Sequence, residues 1–150
     1  MTIGTVCSRD PVTVPADAPV ATVAQRMCDE HVGLVIVTKR PADRPVPVGV
    51  ITDRDIVRAQ VGRPGTDVFT LHAEAVMTRD PLVLAESTAV SAGIERLRER
   101  GVRRAPVVDA AGALIGLVSA DDLFAAMAED LVRLGRLVAA QPGRERPRRR

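Results

Sequence analysis

The chain of 150 residues suits one compact domain, or two small repeats sharing a core. Its residues are 46% apolar, nearly all aliphatic, with no Trp or Tyr and only Phe69 and Phe124, which argues against the stacking platforms of single-stranded nucleic-acid binders. The net charge of +2 hides an excess at the end of the chain, where Arg144, Arg146, Arg148, Arg149 and Arg150 face a single Glu145, so the body is close to neutral and carries no general basic face.

Cys7 and Cys28 lie far apart with no CxxC pair, and His31 and His72 are isolated. No metal site, redox dithiol or catalytic base is indicated, and both thiols are expected to be reduced. Neither a charged-then-apolar leader nor a membrane-length apolar run is present, which leads to the expectation of a soluble cytoplasmic protein.

In chain order, Val6-Cys-Ser-Arg-Asp-Pro-Val-Thr-Val14 returns seventy residues later as Val76-Met-Thr-Arg-Asp-Pro-Leu-Val-Leu84, an internal repeat that governs the architecture. Each Asp-Pro turns the chain into a brief extended piece. Helices are expected at Asp17 to His31 and Ser87 to Arg100, from the apolar spacing of Val20, Val23, Ala24, Met27 and Cys28 and of Val90, Ile94 and Leu97. Asp17 and Ser87 are read as their N-caps, and Pro19 as a first-turn residue. Two strands follow in each half, Gly33 to Thr38 with Val46 to Thr52, and Arg103 to Val108 with Leu114 to Ser119. The continuous apolar runs Leu34 to Val37 and Val48 to Ile51 predict strands covered on both faces.

A short helix (Asp53 to Val61) and a long one (Ala120 to Val138) come next. Between the halves, Gly62 to Thr66 reads as a linker, and Thr70 as the cap of a turn leading to Met77. Leu123, Phe124, Met127, Leu131, Leu134 and Val138 line one side of the long helix, to be covered by a partner helix or by its own sheet. From Gln141 the composition is that of a disordered end, whose arginines either solubilise the chain or grip phosphates.

The densest chemistry sits at the last strand-to-helix junction of each half, Gly49-Val-Ile-Thr-Asp-Arg-Asp55 and Gly116-Leu-Val-Ser-Ala-Asp-Asp122. Thr52 and Ser119 are placed as N-caps, with Asp55 and Asp122 in the first helical turn. A helix start favours an anion, and an ionised carboxylate beside it can accept hydrogen bonds from two neighbouring hydroxyls, features that a ribose phosphate would satisfy. The same pattern is equally an ordinary capping box, and duplication copies caps along with sites.

Twice over, the order is extended piece, helix, strand, strand, helix, ending in Gly-hydrophobic-hydrophobic-Thr/Ser-x-x-Asp. With the paired Asp-Pro entries and Val102-Arg-Arg-Ala-Pro-Val-Val-Asp109, this resembles a tandem pair of CBS domains, a Bateman module, over residues 6 to 137. The resemblance implies an α+β fold of two β-α-β-β-α repeats related by pseudo-two-fold symmetry, with small mixed sheets flanked by helices. Repeat 1 is expected at residues 6–62, a linker at 63–75, repeat 2 with its extended last helix at 76–138 and an Arg-rich tail at 139–150.

It also implies a non-catalytic regulatory module, an energy sensor holding AMP, ADP, ATP, S-adenosylmethionine or NAD in the cleft between repeats. By position, Asp55 and Asp122 would hold ribose hydroxyls, Thr52 and Ser119 would lie against ribose or phosphate, and Arg103 and Arg104 would face phosphate. Ser8 to Val14 and Thr78 to Leu84, with Thr13 and Thr78 among them, would line the adenine slots. The first half has Gly33-Leu34-Val35-Ile36 where the second has Arg103-Arg104-Ala105-Pro106, so unequal sites are expected unless Lys39, Arg40 or Arg54 substitutes. On the residues alone, Arg103 and Arg104 are equally edge-strand cations, and Arg54 a salt-bridge partner of flanking aspartates. A homodimer and a separate protein effector are expected as partners, with nucleic acid only by way of the tail. The alternative is a ligand-free dimeric scaffold that binds a protein or nucleic acid through its last helix and tail.

Overall fold

The structure, a computed structural model, describes residues 1–140; the Arg-rich tail expected from Gln141 lies outside the described residues. In chain order the elements are α1 (Ile3–Val6), β1 (Thr13–Pro15), α2 (Val20–Glu30), β2 (Leu34–Lys39), β3 (Val46–Thr52), α3 (Asp53–Val61), α4 (Ala73–Val76), β4 (Thr78–Arg79), β5 (Leu84–Ala85), α5 (Val90–Arg100), β6 (Arg104–Val108), β7 (Leu114–Ser119) and α6 (Ala120–Ala139). They form two small mixed sheets, ordered β1-β2-β3-β4 and β5-β6-β7. In each, the first strand pairs parallel with the second and the second antiparallel with the third. The expected α+β repeat pair is what the chain builds.

The halves are laced together by their entry pieces. Strand β4 opens the second repeat but pairs with β3 of the first, through Gly49↔Arg79 and Val50↔Thr78. Reciprocally, Ser8 exchanges two 2.9 Å backbone hydrogen bonds with Leu117 of β7. The short helices cross as well. Ile3 is buried in the second core with Leu84, Val107 and Val118, while Val68 and Ala73 are buried in the first with Val20, Val35 and Ile51. Each fully buried aliphatic side chain contributes about 1.5–3 kcal/mol, so the exchanged residues tie each half to the other's core.

This crossing explains the glycine that opens each junction. A Cβ on Gly116 would stand 2.5 Å from the Ser8 carbonyl oxygen and 2.9 Å from Cys7 Sγ; one on Gly49 would run into the Met77 side chain and lie 3.0 Å from the Thr78 carbonyl oxygen. Neither glycine has positive φ. Both leave room for a foreign backbone rather than make a turn.

The crossing also corrects the expected caps of α2 and α5. These helices start three residues later than Asp17 and Ser87, with Pro19 and Ala89 at the N-cap position and no side-chain cap. The opening amides are satisfied by backbone instead: Val20 N–H donates to the Leu71 carbonyl (2.8 Å) and Val90 N–H to the Met1 carbonyl (3.3 Å), both from segments leading into entry helices. A side-chain cap is redundant where a carbonyl already accepts. Thr70 is not a cap of α4 either. It closes a 3₁₀ turn, Val68–Thr70, that Asp67 caps through Phe69 N–H, and His72 precedes α4 without a side-chain bond.

Strand β2 is covered as expected, with Val35 to Thr38 all buried. Strand β3 is not: only Gly49 and Ile51 are buried, while Val48 and Val50 are half-exposed, the signature of a strand fully covered on one face. The last helix does not fold its stripe onto its own sheet. Leu123 is buried, but Phe124, Met127, Leu131, Leu134 and Val138 are exposed along 20 residues of helix.

Candidate functional site at the strand-to-helix junctions

Strand pairing sets each junction. Leu34 lies opposite Thr52, and Arg104 opposite Ser119, so the start of the middle strand flanks the helix start. The carbonyl before that strand accepts the first helical amide: Asp53 N–H donates to Gly33 at 3.2 Å and Ala120 N–H to Arg103 at 2.8 Å. This holds residues 33 and 103 against the two helix starts.

Both Thr/Ser-x-x-Asp elements are closed capping boxes. Thr52 N–H donates to Asp55 Oδ2 (2.8 Å) and Asp55 N–H to Thr52 Oγ1 (3.1 Å). Ser119 N–H donates to Asp122 Oδ2 (2.8 Å), Asp122 N–H to Ser119 Oγ (3.1 Å), and the Ser119 hydroxyl also donates to Asp122 Oδ2 (2.6 Å). The carboxylates therefore do hold their helices shut. In both boxes only Oδ2 is used, which leaves Oδ1 of two half-buried carboxylates at a helix N-terminus as an acceptor for a hydroxyl donor.

The surroundings differ. Arg103, Arg104, Ser119 and Asp121 line a cavity of about 310 Å³. Arg103 makes a 3.5 Å ion pair with Asp121; with both side chains about 80% exposed, that pair is worth little. Asp122 lines a neighbouring cavity of about 460 Å³ together with Met1, Thr5 and Val6 of the opposite entry and Arg133 of α6. The Ser119–Asp122 hydrogen bonds join these two hollows.

At the first junction Arg54 is exposed, and its backbone amide donates to Asp53 Oδ1 at 2.8 Å. A side chain on Gly33 would meet the Asp53 carboxylate at about 3.6 Å, so a carboxylate flanks this cap in the place that arginines take beside the Ser119 cap. Thr78, exposed on β4, pairs with Val50. Thr13 is drawn away from both boxes. It lines a cavity of about 470 Å³ with Asp17, Thr38, Lys39, Arg40 and Glu74, and another of about 360 Å³ between the repeats.

That inter-repeat hollow holds Arg9, Arg26 and Arg40 with Leu114 and Ile115 of β7. Neither Arg9 nor Arg26 stands out in the sequence as a site residue. Arg9 donates to the Gly4 carbonyl at 2.8 Å, as its repeat counterpart Arg79 donates to Glu74 at 3.0 Å, so the Arg of each Arg-Asp-Pro closes its entry helix. The duplication of that arginine is the signal the sequence offers for it. Arg26 Nε is buried with no hydrogen-bond partner among the described residues, while its Nη2 lies 3.7 Å from Glu30. Burial pushes the half-buried Cys7 thiol up, against the pull of Arg9, so it stays protonated near neutral pH. Among the described residues there is no cluster of three or more metal-ligating side chains, and no helix is long and apolar enough to cross a membrane.

Such a fold, two α+β repeats with exchanged entries and a capped carboxylate at each final junction, defines a tandem repeat module. The model of the CBS domain family matches residues 3–62 and again 73–129. The chain belongs to the CBS domain family. It is 28% identical over 83% of its length to an uncharacterized protein of Methanopyrus kandleri, of which the match covers 61%, and 34% identical over 75% of its length to inosine-5'-monophosphate dehydrogenase of Mycobacterium tuberculosis, of which it covers 20%. The chain thus spans less than two thirds of these relatives. Among solved structures, a CBS domain protein from Pyrobaculum aerophilum complexed with AMP superposes with a TM-score of 0.70 at 29% identity, covering 81% of this chain and 89% of that one. A putative signal-transduction protein with CBS domains from Burkholderia ambifaria shares the fold, with a TM-score of 0.73 at 24% identity, over 87% of this chain and 96% of that one.

Proposed function

We propose that this chain is a non-catalytic regulatory module that binds an adenosine-containing nucleotide at its strand-to-helix junctions and signals by a change of conformation or of contacts between two copies. The observation that carries this is the second junction: an uncommitted Asp122 oxygen at a helix start, hydrogen-bonded through Ser119 to a hollow flanked by Arg103 and Arg104. In this reading Asp122 Oδ1 accepts from the ribose hydroxyls, the arginines and the positive end of the α6 dipole meet phosphate, and Thr78 lies along an entry that flanks base or ribose, while Thr13, carried off on β1, takes no part. Thr52, Arg54 and Asp55 make the weaker second site. The AMP complex of the Pyrobaculum relative supports the ligand class. The exposed apolar face of α6 supports self-association as a dimer. The setting proposed is cytoplasmic, with a separate protein reading the nucleotide state as an energy signal.

A thermal-shift titration tests the ligand. A nucleotide at a hundred times its Kd stabilises the folded chain by about 2.7 kcal/mol, a rise of roughly 5–10 °C in Tm for a protein of this size. AMP is expected to give such a shift; Asp122→Asn, which keeps an acceptor for the Ser119 amide, abolishes it, and Asp55→Asn weakens it. A full shift in both variants would remove these carboxylates from the site. No shift with AMP, ADP, ATP, S-adenosylmethionine or NAD would overturn the reading.

A further inference from the structure

The cavity of about 470 Å³ beside β1 contains no residue of either capping box, and its size falls within that of small-molecule sites, about 300–1,000 Å³. Charges of both signs line it, and they come from different elements. The β1–α2 loop brings Asp17, and α4 brings Glu74, fixed to that loop by a 3.0 Å hydrogen bond from its backbone N–H to the Ala16 carbonyl. The end of β2 brings the bases: Pro15 pairs with Thr38, and Lys39 and Arg40 follow directly.

None of these four charged side chains forms an ion pair among the described residues. Asp17 is not spent on capping α2 either, because the Leu71 carbonyl accepts the first amide of that helix. Thr38 is a polar residue in the core, only 6% exposed, and it lines the cavity. Its hydroxyl and that of Thr13 have no hydrogen-bond partner among the described residues. A buried hydroxyl without a partner costs stability unless something in the cavity completes it.

The second repeat shows that folding does not demand this set. Its backbone makes the same crossing, with Gly4 N–H donating to the Glu86 carbonyl at 2.9 Å. Yet Val108, Ala110 and Gly4 stand where the first repeat has Thr38, Arg40 and Glu74, and Asp109, the counterpart of Lys39, is bound into its own turn and to Arg44. The polar lining is an addition of the first repeat alone.

We propose that this cavity binds a free α-amino acid with a short side chain, its ammonium group held by Asp17 and Glu74 and its carboxylate by Lys39 and Arg40, with the Thr38 hydroxyl completing the polar contacts. A simple anion would meet two carboxylates and a simple cation two bases, whereas a molecule carrying both charges a few bonds apart pairs with all four. The apolar lining is confined to Val14, Pro15 and Ala16, which leaves little surface for a large side chain. Bound there, the amino acid ties α4, which leads into the second repeat, to the end of β2 in the first.

Isothermal titration of the full chain with L-alanine, L-serine and L-valine tests the site, with ethylamine and propionate as the two halves of alanine that each keep one charge. Alanine is expected to bind, and each half to bind at least about tenfold more weakly, the scale of lost charge-assisted hydrogen bonds. Asp17→Asn and Lys39→Gln, both at exposed positions, should each weaken alanine about tenfold with the far-UV spectrum and the AMP thermal shift unchanged. Thr38→Val, close in shape, should weaken it less. Amide NMR shifts on adding alanine should centre on Thr13, Lys39 and Glu74. Propionate or ethylamine binding as tightly as alanine would overturn the two-charge recognition. Shifts centred on Ser119 to Asp122, undiminished binding in Asp17→Asn and Lys39→Gln, or no binding of any of the three amino acids would overturn the site.

Discussion

At the first junction Thr52 and Asp55 close a cap whose neighbours are Gly33, Leu34 and the Asp53 carboxylate; at the second, Ser119 and Asp122 close the same cap beside Arg103 and Arg104. The two caps share the same backbone hydrogen-bond lengths, 2.8 Å to the carboxylate and 3.1 Å to the hydroxyl. The cap is therefore the part both copies need in order to fold, while the flanking residues are free to diverge. Under the proposed reading, helix stability would rest on the cap and ligand preference on the side chains that flank it, and the comparison can be attacked at either.

The largest effect is expected where the halves cross. Gly116→Ala places a methyl group 2.5 Å from a backbone oxygen of Ser8, which cannot move without breaking its two hydrogen bonds to Leu117. Overpacking of this kind costs about 1–3 kcal/mol. Gly49→Ala meets first the flexible Met77 side chain and then a backbone oxygen at 3.0 Å, so its cost should be smaller. Urea denaturation of both variants measures the difference. Equal losses would show that the two crossings are equally yielding, contrary to the asymmetry of Cys7 and Met77.

The contrast also marks what was legible in the sequence. The repeat, the two junctions, β3, β7 and α3 could be read from Val46 to Val61 and Leu114 to Ser119 because hydroxyl caps and apolar runs are local signals. The caps of α2 and α5 could not, because the carbonyls of Leu71 and Met1 that replace Asp17 and Ser87 come from remote backbone, which leaves no side-chain trace. The exchange of entries was hidden for the same reason: Ile3 and Ala73 resemble any small apolar residues, and only the fold shows in which core they lie. Of the residues proposed for the site, Ser119, Arg103 and Arg104 are named by the sequence and line one hollow, with Asp122 lining another, whereas Thr13 falls into other hollows because β1 carries it away from the helix starts.

A smaller effect should follow from the flanks. Replacing Arg103 and Arg104 together by Gln is expected to weaken AMP about tenfold, on the scale of one or two charge-assisted hydrogen bonds, with the ligand-free Tm unchanged because both side chains are exposed. In that background Gly33→Arg should recover part of the affinity at the first junction, since its Cβ would sit at ordinary distance from Asp53. Isothermal titration at two salt concentrations reads both. Unchanged affinity in the double variant would make the arginines ordinary edge-strand cations.

The smallest effect concerns the turns at the other ends of the strands, where the halves also differ. In the second repeat Asp109 Oδ1 accepts from the amides of Ala111 and Ala113, both at 2.9 Å, and Oδ2 from Arg44 of the first repeat, also at 2.9 Å. Hydrogen bonding from the Ala113 amide leads in lowering the Asp109 pKa below the ordinary carboxylate value, with Ala111 and Arg44 adding to it against some desolvation. A carboxylate whose folded pKa lies below its unfolded one stabilises the protein above the unfolded value, near 3.9, and loses that contribution as pH falls through the folded value. Asp109→Asn should therefore be less stable than the parent at pH 7, with the gap closing below about pH 4. Arg44→Ala should reproduce only part of the gap, because the ion pair spans two half-exposed groups and the turn amides outrank it. Urea midpoints measured between pH 3 and pH 7 decide the matter. A gap independent of pH would assign the role of Asp109 to the shape of the turn rather than to its charge.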